Sequence, residues 1–221
     1  IEARSLELLV HEIASHRFSD DQWHVVKRLL HTTADFSLLD TIRFSSDAIA
    51  SGIEALRSCN PIFVDSNMIR SGLSIERLRQ VSPDYGPEKL ICHVADSDVA
   101  KEAVATGLPR SLFAVRKAKP LLRGAIAVFG NAPVALLELN RMIMEENLKP
   151  ALVIAMPVGF VHVIESKEEL VSLKVPQIVI VGRRGGSPLA VSVVHALCSL
   201  ATKNGTETEI KSDVIESEVS N

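Results

Sequence analysis

The sequence has few cysteines and none of the common metal-binding motifs. Its three cysteines, Cys59, Cys92 and Cys198, lie far apart and form no C-x-x-C pair. We therefore expect buried free thiols in a cytoplasmic protein, not a disulfide framework. The seven histidines are scattered and no HExxH motif occurs, so we expect no protein-bound metal.

An excess of basic charge and long apolar runs are also missing. The 24 basic and 27 acidic residues give a formal net charge of -3, which argues against a nucleic-acid-binding protein. No apolar run approaches the roughly 20 residues that a membrane-spanning helix requires, so we expect no membrane partner. The opening IEARSLELLVHEI has acidic residues among its apolar ones, unlike a signal peptide. Because the chain begins at Ile1 and not at a methionine, we expect a few residues to precede it.

The length and composition are sufficient for one large folded domain. The chain has 221 residues, of which 47% are hydrophobic and 23% charged. We expect a single α/β domain over residues 1–203. Residues 204–221 are rich in acids, Ser and Thr and hold few large apolar side chains, so we expect a disordered tail.

The first part of the chain is predicted to be helical. Apolar residues recur at helical spacing over residues 2–15, which predicts an amphipathic helix. The capping box Ser19-Asp20-Asp21-Gln22 starts a second helix with an inner face at Trp23, Val26 and Leu30. A third helix is predicted from about residue 45 to 58.

Five short apolar runs then alternate with helical stretches. The runs are PIFVD (61–65), LICHV (90–94), AIAVF (125–129), ALVIA (151–155) and QIVIV (177–181). Such runs are typical of strands buried on both faces of a parallel sheet. Helical stretches are predicted near 66–72, 98–107, 133–146, 168–173 and 188–201. The predicted fold is α/β, an αβα sandwich with a mainly parallel sheet of about five strands, preceded by N-terminal helices.

Polar and glycine-containing turns follow four of these strands, at 65–67, 130–133, 156–160 and 182–187. In an open parallel sheet, ligands bind beyond the carboxyl ends of the strands. Many such turns only connect a strand to a helix. The turn GRRGGS (182–187) nevertheless offers backbone donors, a helix N-terminus and two guanidinium groups, which together favour an anion.

The segment Arg28–Phe44 concentrates groups that could move a proton. An apolar helical run ends at Leu30 and is followed by His31, two threonines and Asp35. An imidazole titrates close to neutral pH, so we expect that His31, at the end of a buried element and away from water, can give or take a proton. The residues alone favour a simpler interpretation, in which His31 stabilises the helix C-terminus through the helix dipole.

From these residues alone, two enzyme classes stay open. One is a phosphate- or nucleotide-binding α/β enzyme that uses GRRGGS, although no GxGxxG follows the first strand and no Walker lysine is present. The other is an enzyme that acts on a polycarboxylate with a single acid–base histidine. A hydrolase is poorly supported because the chain has no G-x-S-x-G elbow.

Four sequence blocks resemble, in order and spacing, those of the precorrin-8X / cobalt-precorrin-8 methylmutase family of cobalamin biosynthesis. The blocks are HTTADF (31–36), VFGNAPVAL (128–136), MPVGF followed by ESK (156–167), and GRRGGS (182–187). The likeness runs from about Ile1 to about Ala201. It implies an isomerase that moves a methyl group from C-11 to C-12 of a corrinoid tetrapyrrole, giving hydrogenobyrinate or cobyrinate. A non-catalytic tetrapyrrole carrier stays an alternative.

The resemblance also implies a mechanism and an assembly. The methyl shift needs no external cofactor, so the protein would hold the macrocycle and protonate it. His31 matches the catalytic histidine of the family and would be the proton donor, with Thr32, Thr33 and Asp35 fixing its orientation. A homodimer is expected from the family. Whether the macrocycle carries cobalt or is metal-free stays open.

A set of substrate-binding residues follows from the same resemblance. They are Arg4, Ser5, Thr32, Asp35, Arg110, Asn131, Arg183 and Ser187. The planar guanidinium suits the acetate and propionate arms of the macrocycle. Family members often carry His-Ala-Thr-Gly-Asp at the segment that reads His-Thr-Thr-Ala-Asp in this chain, so Ala34 stands where they have glycine. Four other basic residues are interpreted as solvated surface charges, namely Arg116, Lys117, Lys119 and Arg123.

Overall fold

A computed structural model describes residue 13 and residues 15–202 of the chain. Most of the first predicted helix (2–15) and the predicted tail (204–221) lie outside the described residues. The candidate residues Arg4 and Ser5 lie outside them too. Within the described part, no helix is long and apolar enough to cross a bilayer.

Six strands form one sheet in the order β1-β6-β5-β4-β2-β3. The strands are β1 Ile42–Phe44, β2 Ile62–Val64, β3 Leu90–Ile91, β4 Ile126–Phe129, β5 Leu152–Ala155 and β6 Gln177–Ile180. Strands β2 to β6 run parallel, which confirms the predicted parallel sheet. Strand β1 adds an antiparallel edge, with Ile42 opposite Ile180. The sequence did not predict β1 because Ile-Arg-Phe is too short and too polar to form an apolar run.

Ten α-helices surround the sheet in the described part. They are α1 Asp20–Thr33, α2 Leu38–Thr41, α3 Ala48–Arg57, α4 Asn67–Gly72, α5 Ile75–Val81, α6 Ser97–Thr106, α7 Arg110–Leu122, α8 Pro133–Glu146, α9 Val163–Ser172 and α10, described over 187–202. A short 3₁₀ turn, Pro87–Lys89, precedes β3. The predicted capping box is confirmed, since the Gln22 N–H donates to Ser19 Oγ and the Ser19 N–H donates to Gln22 Oε1.

Three helices, α2, α5 and α7, were not predicted, and α2 has only four residues. In α7 the pattern is interrupted by Pro120, which lies near the end of the helix and so removes only one backbone hydrogen bond. Helix α5 has seven residues and only one buried side chain, Leu78, so its apolar periodicity is weak.

Side chains from the two faces of the sheet enter two separate cores. Ile126 and Val128 of β4 pack with residues of α1, α3 and α10 on one face. Ala127 and Phe129 pack with residues of α7, α8 and α9 on the other. The sheet is therefore covered on both faces, which confirms the αβα sandwich. All three cysteines are buried, as predicted.

Candidate active site

The carboxyl ends of β2 and β4 are joined by Asp65, which follows β2. Its carboxylate is 2% exposed and accepts the N–H groups of Gly130, Asn131 and Ala132 at 3.1, 2.8 and 2.6 Å. Burial raises the pKa of the Asp65 carboxyl, while the three N–H donors oppose that rise. Asp65 thus fixes the turn that carries the candidate Asn131, whose own side chain is exposed.

The start of α10 packs tightly against the same turn. Ser187 Oγ lies 3.2 Å from Ser66 Oγ, and Ser187 is 6% exposed. A Cβ at Gly130 would lie 2.8 Å from the Cα of Ser187, so the two backbones can approach only because residue 130 is glycine. The structure therefore places Ser187 inside a packed contact between two loops. Its substrate contact stays a prediction.

The segment that carries His31 ends helix α1 at this edge of the sheet. The helix stops at Ala34, whose φ of 52° is left-handed and whose N–H donates to the Leu30 carbonyl. The expectation that His31 is kept from water is wrong, because its side chain is exposed. The physical reason is the helical turn, since Leu29 and Leu30 occupy the core-facing stripe and His31 follows on the outer side.

Two side chains that follow His31 in the chain connect this segment to the rest of the edge. Thr32 Oγ1 lies 2.7 Å from Ser192 Oγ of α10 and also donates to the Arg28 carbonyl. Asp35 forms an ion pair with Arg184, and Arg184 also donates to Ser37 Oγ. The structure therefore brings the predicted Asp35 to the GRRGGS turn and the predicted Thr32 to α10, the helix that follows this turn.

Arg184 was missed as an individual site residue, because the resemblance selected its neighbour Arg183. The sequence signal was the pair of guanidiniums in GRRGGS. Arg183 is exposed, and its carbonyl accepts the Gly159 N–H at 3.3 Å. The turn after β6 and the turn after β5 are thus in contact, as the placement of both at one sheet edge predicts.

Lys167 is the other residue that sequence reasoning missed, although it ends the ESK block. It is fully buried on α9, and its ammonium donates to the carbonyls of Gly182 and Arg184 at 2.9 and 2.6 Å. Desolvation lowers the pKa of Lys167 to about 8.

Arg110 begins α7, and two ion pairs show which way that helix runs. Arg116 pairs with Glu138 at 3.0 Å, and Lys119 pairs with Glu146, so α7 and α8 run in the same direction. Helix α8 starts just after the carboxyl end of β4, so Arg110 lies toward the same edge of the sheet. The basic residues interpreted as surface charges are all exposed and bond to neighbouring elements, as seen for Arg116, Lys117, Lys119 and Arg123.

Exposed apolar side chains lie on the loop between β5 and α9. Val158 is 46%, Phe160 87% and Val161 71% exposed. They flank Gly159, whose N–H donates to the Arg183 carbonyl, so the apolar loop contacts the backbone of the turn that carries the exposed Arg183 side chain. A large ligand with an apolar ring and charged arms would match this combination.

Two grooves on the protein surface lie away from the candidate site residues. One groove of about 400 Å³ runs between the start of α1 and α3, and another of about 450 Å³ lies beside Phe18 and Leu39. Neither is lined by a candidate residue. Among residues 13 and 15–202, no group of three or more His, Cys, Asp or Glu side chains could hold a metal ion.

The fold and this edge define a class of protein, an α/β protein with a polar surface at the carboxyl ends of parallel strands. This surface combines an exposed imidazole, guanidinium groups, ordered backbone turns and an apolar loop.

Comparison with known proteins gives the family. The family profile described as Precorrin-8X methylmutase matches residues 1–200. The cobalt-precorrin-8 methylmutase of Leptospira interrogans is 41% identical over 213 residues, which cover 93% of this chain and 94% of that protein. That of Priestia megaterium is 41% identical over 206 residues, 93% of this chain and 89% of that protein.

A solved structure agrees. The precorrin-8X methylmutase of Thermus thermophilus superposes with a TM-score of 0.84 at 42% identity, covering 92% of this chain and 96% of that one. The chain belongs to the precorrin-8X methylmutase family. It is an isomerase of cobalamin biosynthesis that moves a methyl group within one molecule.

Proposed function

We propose that the protein moves the methyl group of precorrin-8X or cobalt-precorrin-8 from C-11 to C-12, with His31 as the general acid. The observation that carries the proposal is the position of His31. It lies exposed on the last turn of α1, directly before Thr32 and four residues before Asp35, and these two residues bond to α10 and to the GRRGGS turn. The products are hydrogenobyrinate and cobyrinate, respectively.

The chemistry asks little of the protein beyond holding the ring and supplying a proton. The methyl group leaves C-11 with its bonding electrons and joins C-12, and the conjugated double bonds shift to balance the change. No electrons enter or leave the molecule. The protonated imidazole of His31 donates its proton to the macrocycle, and the macrocycle returns a proton to the imidazole once the methyl group has moved, so substrate and product have the same formula. A positioned acid of this kind is worth about 10²–10⁴ in rate.

The polar surface at this edge supplies two kinds of contact for the macrocycle. Arg183 and Arg110 bind carboxylate arms, each through charge-assisted hydrogen bonds worth on the order of 1.5–3 kcal/mol. Phe160 and its apolar neighbours cover part of the ring, and burying one such side chain contributes about 1.5–3 kcal/mol. The substrate is held in one orientation because different loops bind its charged arms and its apolar face.

Incubation of the protein with each form of the substrate tests this function. Conversion of metal-free precorrin-8X should give the absorption spectrum of hydrogenobyrinate, and conversion of cobalt-precorrin-8 that of cobyrinate. The form that is turned over identifies the natural substrate. Binding of both forms with turnover of neither would replace the enzyme by a tetrapyrrole carrier.

We also propose that the protein is a homodimer. The exposed apolar side chains of the described part, such as Met68, Val104 and Met144, offer surface that a second copy can cover. Light scattering at micromolar concentration should give a mass near that of two chains. A mass near that of one chain would exclude the dimer.

A further inference from the structure

The ammonium of Lys167 is buried without an ionic partner among the described residues. Its bonds go to two carbonyls, those of Gly182 and Arg184. The nearby acids are engaged elsewhere or turned outward, since Glu169 accepts from Asn140 while Glu165 and Glu168 are exposed. Removal of an ammonium from water is costly when no carboxylate compensates it. An apolar side chain of the same length would avoid that cost, so stability alone does not account for a lysine here.

The two bonds of Lys167 fix the orientation of two peptide groups in the GRRGGS turn. In a trans peptide, the C=O of one residue and the N–H of the next point in opposite directions. The carbonyls of residues 182 and 184 point at Lys167, so the N–H groups of Arg183 and Gly185 point away from it. Within the described part of the chain, neither N–H donates to a protein acceptor.

The backbone conformation of the GRRGGS turn is restricted by its glycines and by close packing. Gly182 has a φ of 80° and Gly186 a φ of 132°, both in the region that favours glycine. A Cβ at Gly185 would lie 2.1 Å from the Met156 carbonyl oxygen, so the turn is pressed against the end of β5. On its outer side lie the exposed Arg183 side chain and the two outward N–H groups.

We infer that Lys167 is a positioning residue for the binding of a substrate carboxylate. Its ammonium fixes the side of the 182–186 turn that faces α9. The opposite side then presents three donors to one acetate or propionate arm, namely the N–H groups of Arg183 and Gly185 and the Arg183 guanidinium. Its positive charge also makes the potential at the front of the turn more favourable for an anion. This inference rests on the proposed function, because the arm belongs to the proposed macrocycle.

The test separates positioning from plain stabilisation by measuring KM, kcat and thermal stability together. In Lys167→Met the chain keeps its length but loses the ammonium, so KM should rise about tenfold, as expected for the loss of roughly 1.4 kcal/mol of binding. The kcat should stay within about twofold, because His31 is untouched. The matched control is Leu170→Ala, a buried change on the same helix, which should lower Tm and leave KM unchanged.

A Lys167→Met protein with unchanged KM and a kcat reduced only in proportion to its folded fraction would overturn the inference. If this variant does not fold, hydrogen exchange on the wild-type protein decides. Added cobyrinate or hydrogenobyrinate should slow exchange of the peptide that spans 182–187, and unchanged exchange would overturn the inference. A wild-type protein that shows this protection without any turnover would contradict the proposed function alone.

Discussion

At the scale of single residues, Ala34 carries backbone strain that glycine would remove. It ends α1 with φ 52° and ψ 34°, a left-handed conformation that is unfavourable for any residue with a Cβ. From the sequence, alanine in place of glycine at this position was interpreted as a tolerated change. Its cost in stability was not visible there, because that cost depends on the backbone dihedral angle φ of residue 34.

We expect Ala34→Gly to raise the free energy of unfolding by about 0.5–1 kcal/mol. Urea denaturation at constant m-value measures the change. The matched control is Ala50→Gly, an exposed change inside α3, which should lower stability by about 1 kcal/mol. A loss of stability in both variants would contradict the strain at residue 34.

His195 gives a residue-scale prediction for pH. Its Nε2 accepts the Ser74 N–H at 3.1 Å, and burial together with Arg77 and Arg28 lowers its pKa to about 4. Below the ordinary pKa of histidine, the unfolded chain takes up a proton that the folded chain does not. Stability should therefore be unaffected by this group above about pH 6.5 and should fall as the pH drops from 6.5 toward 4.

Comparison of the wild-type protein with His195→Gln tests this sign. Glutamine can still accept from the Ser74 N–H but cannot be protonated. The wild type should lose on the order of 1 kcal/mol more than the variant between pH 7 and pH 5, a value discounted for the partial exposure of the ring. Parallel loss of stability in the two proteins would show that His195 is not responsible.

At the scale of elements, the sequence predicted the buried strands and most of the helices. It did not predict a short edge strand or the contacts made by individual turns. The five parallel strands were found because each is apolar on both faces, and α8 was predicted with its observed bounds, Pro133–Glu146. Strand β1 was missed because its pairing with β6 stabilises it, and a run of three residues is too short to show a strand pattern in the sequence. The bonds of Lys167 and Arg184 were missed for the same reason, since they depend on how the GRRGGS turn folds back on α9 and α1.

The turn after β6 should bind a carboxylate arm through Arg183. Arg183→Ala should weaken macrocycle binding roughly tenfold or more, because one charge-assisted bond is lost. The control is Arg123→Ala, an exposed arginine that donates to the Asn147 carbonyl and should bind the macrocycle normally. Calorimetric titration with cobyrinate measures both. Tight binding of ATP with no binding of a corrinoid would favour a nucleotide enzyme.

At the scale of the whole molecule, the strand order explains how distant segments form one surface. The parallel strands end at a single edge, and the antiparallel β1 begins at that edge because Ile42 pairs with Ile180. The end of α1, only eight residues before β1, is therefore brought to the turns that follow β2, β4, β5 and β6. The site could be anticipated from the rule for parallel sheets, but the place of His31 beside it required the family resemblance.

The most direct measurement of the central claim compares binding and turnover in wild type and His31→Ala. If His31 is the general acid, the variant should bind the macrocycle nearly as tightly as wild type, because the arm contacts remain. Its turnover should fall by about 10²–10⁴. A His31→Ala protein that rearranges the substrate at the wild-type rate would contradict the account.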